Sequence, residues 1–266
     1  MRIDAHAHIA SWPTEKECVK TLLASMKKYR IDYALVSNCD CSEYLDNGKR
    51  NNNHLSAIIG AKKVLRLVKK YPQIIGCAVW VNPHYEKVNG ELVSFIKENR
   101  SSIYALKIHP YESRLKISDK RILPYLDLAR LFSLPIIFHT ASEEYSDISM
   151  LLSLAKENQD INFVAAHLQL CSDNKAAIAY LKEAPNLYAD TAWVPLKNAK
   201  KVLLQVGETR IHFGTDEPID GIDTLNNKIY QAYFKNTAKL KAHLYHNLMA
   251  NNAISLFRLP IDKNNG

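Results

Sequence analysis

The sequence predicts an α/β protein with the (β/α)8 TIM barrel fold, in a regular or a distorted form, and with an extra C-terminal helix. Three observations predict this fold. The chain has 266 residues, and a barrel of this class typically needs about 250 residues. Short apolar runs recur along the sequence, and segments with helical periodicity separate them. No linker, low-complexity tract or shift in composition divides the chain, so we expect a single domain over residues 1–266.

Eight short apolar runs that recur along the chain are predicted to form buried parallel strands. The runs cover residues 3–9, 31–37, 74–81, 103–108, 135–140, 161–168, 187–193 and 210–215. Strict alternation in the first run predicts that His6 and His8 share one face. Its apolar residues are expected on the opposite face: Ile3, Ala5, Ala7 and Ile9.

The segments between these runs have the periodicity of amphipathic helices. The first helix is predicted to begin after Pro13, because Thr14 and Glu17 form a capping-box pattern. Further helices are predicted near residues 54–71, 88–99, 122–133, 147–158, 174–184, 197–206 and 223–235. Residues 237–259 are expected to form additional helix packed on the outside. Strand and helix thus alternate eight times, as in a parallel barrel.

Composition indicates a folded protein that acts on small molecules. Hydrophobic residues make up 47% of the chain and charged residues 23%, which excludes wholesale disorder. The net charge is +8 (35 Lys and Arg, 27 Asp and Glu), but the cations are scattered, so we expect small anionic substrates and no nucleic acid. An odd number of cysteines, 5, argues against a disulfide framework. With neither a signal peptide nor a membrane span recognised, we expect a cytoplasmic protein and no membrane partner.

Titratable residues follow the predicted strands at the end where barrels carry their active sites. They are Lys107 and His109 on the fourth strand, His139 on the fifth, His167 on the sixth and Asp216 on the eighth. On the sixth strand, alternation is taken to place Val164, Ala166 and Leu168 outward, which leaves His167 inward. Several imidazoles and one carboxylate around one mouth match the ligands of a catalytic divalent metal ion.

Loop residues near this mouth are candidates for substrate binding. Arg114 follows the fourth strand and Trp193 the seventh, and the guanidinium of Arg114 suits a substrate carboxylate, as does Lys107. Asn82, His84 and Tyr111 are further candidates, whereas Glu217 is expected to orient loops. The polar segment 40–54 is predicted to be either a lid or an ordinary solvated loop.

Taken together, these motifs resemble the amidohydrolase superfamily, most closely its amidohydrolase-related branch. The matching pieces are DAHAH, ALKIHP, LPIIFHT, AAHL, FGTDEP and NNAISLF, which span nearly the whole chain in the family's order. The resemblance implies that His6, His8, His139 and Asp216 bind a divalent metal ion, with zinc expected. It also implies that Asp216 transfers protons and that His167 acts as an acid, a base or a substrate contact.

The same resemblance leaves the role of Lys107 and the reaction open. Lys107 either becomes carboxylated and bridges two ions or stays unmodified beside a substrate carboxylate; we favour one ion. We expect hydrolysis of an amide, lactone or ester bond by metal-activated water. The alternative is a decarboxylase resembling aminocarboxymuconate-semialdehyde decarboxylase. A barrel that binds a ligand or nucleic acid without catalysis is disfavoured by the complete ligand set, and the oligomeric state stays open, a homodimer included.

Overall fold

The sheet contains eight parallel strands whose order in space follows their order in the chain. The computed structural model describes residues 1–45, 47–219 and 223–262. The strands are β1 Ile3–Ile9, β2 Tyr33–Asn38, β3 Ile74–Trp80, β4 Ile103–Ile108, β5 Ile136–Ala141, β6 Phe163–Leu170, β7 Leu187–Asp190 and β8 Ile211–His212. Each of the eight predicted apolar runs contains one of these strands or overlaps it, so the predicted barrel is confirmed.

The barrel closes between the last strand and the first, but not through a regular ladder. Strand β8 has only 2 residues, and the chain after it continues alongside β1. There the backbone N–H of Ala5 donates to the carbonyl of Phe213 (3.1 Å) and the N–H of Asp216 donates to that of His6 (2.7 Å). His8 in turn donates to the carbonyl of Glu217 (2.8 Å). The seam is therefore irregular, which is the distortion that the prediction allowed.

Helices alternate with the strands as predicted. They are α1 Glu15–Tyr29, α2 Ala57–Lys70, α3 Gly90–Glu98, α4 Pro110–Ser113, α5 Leu123–Phe132, α6 Ile148–Glu157, α7 Lys175–Glu183, α8 Leu196–Gln205, α9 Lys228–Phe234, α10 Ala242–His246 and α11 Asn252–Phe257. The predicted cap of α1 is confirmed, because the Thr14 hydroxyl accepts the N–H of Glu17 at 3.2 Å. Within the described ranges, every helix is too short or too polar to cross a membrane.

Apolar side chains pack on both faces of the sheet. The outer layer, between strands and helices, includes Leu106, Ile108, Ile136 and Phe138. A separate cluster lies inside the barrel and contains Ile3, Ala5, Leu35, Ala105, Ile137, Val164 and Ala166 together with Ala253, Ile254 and Phe257 of α11. The C-terminal helix thus packs against the inward-facing side chains at the amino-terminal end of the strands. The predicted place of residues 237–259 on the outside is therefore wrong for α11, because these inner apolar side chains need a cover against water. Leu244 and Leu248 of the same segment lie in the outer layer, as predicted.

Strand β1 departs from the predicted alternation. Ile3 and Ala5 belong to the inner cluster, whereas Ala7 and Ile9 belong to the outer layer. The pairing register with β2 shifts between Asp4 and Ala7, where β1 advances by three residues and β2 by two. Such an extra residue is a bulge, which reverses the facing of all residues beyond it. The expectation that all four apolar residues share one face was therefore wrong.

Strand β6 departs from the predicted alternation as well. Val164 and Ala166 lie in the inner cluster and not outward, while Leu168 lies in the outer layer. Regular alternation would then turn His167 away from the barrel axis. Three successive residues from His167 to Gln169 have positive φ angles of 66°, 46° and 69°. This left-handed backbone is rare for residues with a side chain. It coincides with the orientation of the His167 side chain into the mouth of the barrel, where it lines the cavity.

The described part of the 40–54 segment packs against the neighbouring loop. Glu43 is fully buried, and its carboxylate accepts the backbone N–H of Tyr85 at 2.9 Å. The hydroxyls of Tyr44 and Tyr85 lie 2.9 Å apart, and Tyr44 pairs with Arg50 in an antiparallel bridge. These contacts favour a packed loop over the predicted lid; Asp46 of this segment lies outside the described residues.

Candidate metal centre

Two imidazoles and one carboxylate meet at the carboxyl-terminal end of the barrel. Nε2 of His8 lies 2.9 Å from Oδ1 of Asp216, and Nε2 of His6 lies 3.3 Å from the same oxygen. One ligand atom from each of the three residues falls within 4.8 Å of the others. His6 and His8 project from β1, and Asp216 follows β8 across the irregular seam. The seam therefore brings together residues that are 210 or 208 positions apart.

Each imidazole of this group is oriented by a hydrogen-bond partner on its other ring nitrogen. Oδ2 of Asp190 lies 2.7 Å from Nδ1 of His6, and the Ser37 hydroxyl lies 2.9 Å from Nδ1 of His8. The Nε2 atoms are consequently the ones that face Asp216. Partners of this kind fix the ring orientation of histidines that bind metal ions.

Asp190 is itself held by the backbone. Its Oδ1 accepts the N–H of His167 (2.9 Å) and the N–H of Ala192 (3.0 Å). Burial opposes ionisation of this carboxyl, but the neighbouring His6 and its hydrogen bond lower the pKa of Asp190 below the usual range. Asp190 thus remains a carboxylate beside His6.

The protonation states at the mouth fit a divalent cation. Burial, followed by the nearby Lys107 cation, lowers the pKa of His6 to about 3, so its ring is neutral and offers a lone pair. For Asp216, burial opposes ionisation, yet the hydrogen bond to His8 and the surrounding imidazoles hold its pKa well below the usual range. Neutral imidazoles and an ionised carboxylate are the donors that zinc and similar ions take in catalytic sites.

A second group of candidate donors overlaps the first. His6, His167 and Asp190 also offer ligand atoms within 4.8 Å of one another. However, Nδ1 of His6 already faces Asp190 at 2.7 Å, and both oxygens of Asp190 are engaged. We therefore interpret this second group as the network that orients His6, and we assign the metal centre to His6, His8 and Asp216.

His139, predicted as a further imidazole ligand, lies at the same mouth. The centre of its ring is 4.7 Å from that of His167 and 3.8 Å from that of His109, which it stacks on. Trp80 stacks on the other face of His109 at 5.3 Å. His139 is not part of the compact group described above, and its place among the ligands stays a prediction.

Lys107 lies next to the metal centre. Its Nζ is 2.9 Å from Nε2 of His6, and only 1% of its surface is exposed. Burial lowers the pKa of Lys107 below the ordinary value, although Asp216 and Asp190 oppose this effect. Lys107 is thus a buried amine in direct contact with a residue of the metal centre, and both of its predicted roles remain predictions.

A cavity of about 340 Å³ opens above these residues. Its described walls include His8, Lys107, His109, His139, His167 and Asp216, with Trp80, Tyr111, Glu112 and Glu143 around them. Of the predicted substrate-binding residues, Lys107, His109 and Tyr111 thus line this cavity. The free thiols of Cys39 and Cys171 line it as well.

The structure places other predicted binding residues outside the cavity walls. The Arg114 guanidinium lies over the Tyr111 ring, 4.2 Å from its centre, and Tyr111 in turn lines the cavity. Trp193 lies beside Asp216, and its indole N–H donates to Oδ2 at 3.0 Å. Trp193 is therefore placed to position Asp216, and substrate binding by Arg114 and Trp193 stays a prediction. Glu217 turns away and accepts the Ser25 hydroxyl at 2.5 Å, as expected for a residue that orients a loop.

Sequence analysis missed Asp190 and Ser37, which orient the two imidazoles. Asp190 lies inside the predicted run 187–193, and the observed strand β7 ends at this residue, so a titratable residue within an apolar run was the available signal. Ser37 also lies at the end of its predicted strand, but serines are so frequent in such places that position alone does not single one out.

Comparison with known proteins gives a family match over nearly the whole chain. The family model described as Amidohydrolase matches residues 3–259. No curated protein matches the sequence.

The fold is shared with solved structures of low sequence identity. A manganese-bound 5-carboxyvanillate decarboxylase from Novosphingobium aromaticivorans is 13% identical, with a TM-score of 0.72 over 97% of each chain. A protein from Acinetobacter baumannii described as a probable 2-pyrone-4,6-dicarboxylic acid hydrolase is 12% identical, with a TM-score of 0.69 over 97% of this chain and 99% of that one. The 4-oxalomesaconate hydratase from Rhodopseudomonas palustris is 14% identical, with a TM-score of 0.66 over 97% of this chain and 96% of that one.

Proposed function

The chain belongs to the amidohydrolase family, and we propose that it is a metal-dependent hydrolase that cleaves an amide, lactone or ester bond of a small anionic substrate. The observation that carries this proposal is the position of Asp216. Its carboxylate contacts the Nε2 atoms of both His8 and His6 (2.9 and 3.3 Å, respectively) and lines the cavity. A carboxylate between the ligands and the substrate space is suited to moving a proton between water and a leaving group.

The metal ion would be held by His6, His8 and Asp216, with His139 as the further predicted ligand. When bound, such an ion supplies Lewis acidity and makes water a better nucleophile near neutral pH. Its imidazole and carboxylate donors suit zinc, which we expect, and also manganese. The ion in the related decarboxylase structure is manganese, so both metals belong in the test. We propose one ion, because the second donor group shares His6 with the first.

Side chains at the mouth would transfer protons and would bind the substrate. Asp216 would accept a proton from the attacking water and return it to the departing oxygen or nitrogen, while Trp193 keeps its second oxygen in place. His167, whose Nδ1 lies 3.3 Å from the Ala192 carbonyl, would turn its Nε2 toward the substrate carbonyl. Lys107 would bind the substrate carboxylate, which also offsets the cost of burying an ammonium group.

Decarboxylation is the second candidate. It uses a similar donor set and an acid that protonates carbon as CO₂ leaves, and His167 is buried at the mouth beside His6 and His139. Several proteins with this fold are described as decarboxylases. The fold alone does not decide between the two reactions.

The test compares both reactions in one preparation. The protein is stripped with a chelator, reloaded with Zn²⁺ or Mn²⁺, and supplied with small carboxylates that carry an ester, a lactone or an amide. Acid release and CO₂ release are measured together. We expect metal-dependent acid release that is lost in Asp216→Asn and kept in Asp160→Asn, a surface carboxylate paired with Arg130 (2.7 Å). CO₂ release without acid release would overturn hydrolysis in favour of decarboxylation.

A further inference from the structure

A second cavity adjoins the catalytic cavity on the side of β1. Its volume is about 380 Å³, and it shares four lining residues with the catalytic cavity: His8, Cys39, Glu112 and Ile219. His8 belongs to the metal centre. One member of the metal centre, His8, therefore lies at the boundary between the two cavities, while Asp216 lines the catalytic cavity.

The walls of the second cavity carry exposed apolar side chains from three different loops. Trp12 follows β1 and is 64% exposed, Leu45 follows β2 and is 45% exposed, and Ile219 follows β8 and is also 45% exposed. Single exposed apolar residues are ordinary, but several that line one concave surface indicate a binding site. Ile9 and Pro218 extend the same apolar wall.

Charged groups are distributed differently in the two cavities. The catalytic cavity is lined by Lys107, Glu143 and Asp216 in addition to its imidazoles. The carboxylate of Glu112 is shared by both cavities, and its Oε1 lies 3.8 Å from Nε2 of His109, a residue of the catalytic cavity. Apart from the shared residues, the charged side chain on the described walls of the second cavity is Asp40. Its carboxylate is occupied by Nζ of Lys63 (3.0 Å) and by the hydroxyl and N–H of Ser11 (2.6 and 2.7 Å). The second cavity thus suits an uncharged group.

We propose that the second cavity is a substrate subsite for an uncharged apolar group, alkyl or aryl, on the opposite side of the scissile bond from the carboxylate that Lys107 binds. This inference rests on the proposed hydrolysis, because the groups on the two sides of the cleaved bond each need a place, and in an ester or amide they leave as separate fragments. The fragment with the carboxylate occupies the catalytic cavity, and the apolar fragment occupies the space between Trp12, Leu45 and Ile219.

Turnover of matched esters tests the subsite. The pair is the methyl ester and the benzyl ester of one dicarboxylic acid, with kcat/KM measured for each. We expect the benzyl ester to be preferred by about tenfold or more in the unmodified protein, since small changes of apolar size in a fitted pocket alter kcat/KM by about 10–200-fold. Trp12→Ala and Leu45→Ser reduce this ratio toward one. The matched control Leu131→Ser, at a position 63% exposed on α5, leaves the ratio unchanged.

Ligand binding separates the subsite from the reaction. Calorimetry of the metal-loaded protein compares 4-phenylbutyrate with butyrate, which share a carboxylate and differ in the aryl group. We expect about tenfold tighter binding of 4-phenylbutyrate, lost in Trp12→Ala and kept in Leu131→Ser.

The two measurements distinguish failure of the subsite from failure of the proposed function. If esters are hydrolysed but neither the turnover ratio nor the affinity ratio exceeds one, the subsite is overturned and hydrolysis stands. If no ester, lactone or amide is hydrolysed while 4-phenylbutyrate binds more tightly in a Trp12-dependent manner, hydrolysis is overturned and the apolar subsite stands. Equal affinities without any turnover overturn both.

Discussion

At the carboxyl-terminal end of the barrel, inward-facing side chains are imidazoles, carboxylates and Lys107, whereas at the amino-terminal end they are apolar and pack against Phe257 and Ile254 of α11. The polar end contains groups whose burial alone is unfavourable, such as the lysine. The apolar end gains stability from burial. In barrels of this class, function is found at the first end and stability at the second. The same strands supply both ends, so substitutions at one end should leave the property of the other largely intact.

Because the two ends are separate, we expect Asp216→Asn to have the largest effect of all, a loss of turnover without a loss of stability. The amide keeps the shape of the side chain and an oxygen that accepts the Trp193 N–H, but it neither carries a charge nor transfers a proton. We expect turnover to fall by about a thousandfold or more, with a nearly unchanged melting temperature. Steady-state kinetics and thermal unfolding of the same sample check both parts. Asp160→Asn is the control, and wild-type turnover in Asp216→Asn would contradict the proposed role.

At the amino-terminal end of the barrel, we expect Phe257→Ala to reduce stability and to leave turnover nearly unchanged. This ring is 2% exposed and lies in the inner cluster, edge-on to His212 at 5.2 Å. Truncation of a buried phenylalanine costs about 3–5 kcal/mol, so we expect a large loss in the free energy of unfolding. The kcat per folded molecule should change little below the melting temperature. Denaturant unfolding measures the loss, with Leu131→Ala on the surface as the control. A change below about 1 kcal/mol would show that α11 does not stabilise this end.

The sequence predicted the strand order and the polar mouth because both follow from local rules. Apolar runs mark buried strands, and inward-facing residues near the carboxyl end of each strand lie at the mouth. His139 illustrates this, since its inward orientation follows from regular alternation along β5. Alternation is interrupted by the bulge in β1 and by the left-handed residues that begin at His167. The predicted facing was therefore wrong for the residues that precede these points: Ile3, Ala5, Val164 and Ala166.

Those interruptions, like the contacts of the loop residues, depend on neighbours that are distant in the sequence. His6 is paired in space with Asp190, 184 positions away, and Asp4 accepts the N–H of Thr215 beside the bulge, at 3.1 Å. Trp193 was predicted near substrate, but its contact with Asp216 depends on how two loops meet. Single-sequence patterns therefore locate the mouth of the barrel, and tertiary contacts decide which residues bind and which orient.

A smaller effect is expected for Asp190→Asn, which tests the orienting contact at the polar end. Asparagine still accepts the N–H groups of His167 and Ala192 but offers no charge to His6. Loss of such a partner weakens metal binding by about 10–100-fold. Competition with a calibrated chelator measures the affinity for Zn²⁺ and Mn²⁺. Asp173→Asn, a surface carboxylate paired with Lys175 at 2.7 Å, should match the unmodified protein; equal affinities in Asp190→Asn would remove the case for orientation through His6.

The smallest effect is expected for Trp193→Phe, because it removes one hydrogen bond and leaves most of the ring. The indole N–H donates to Oδ2 of Asp216 at 3.0 Å, on the side away from His8. A hydrogen bond of this kind contributes about 1 kcal/mol, which corresponds to roughly a fivefold change in kcat. If Trp193 only positions Asp216, kcat falls while KM for the substrate is unchanged. A raised KM at constant kcat would instead support the original prediction that Trp193 binds substrate. The polar end would then include a substrate contact outside the described cavity walls.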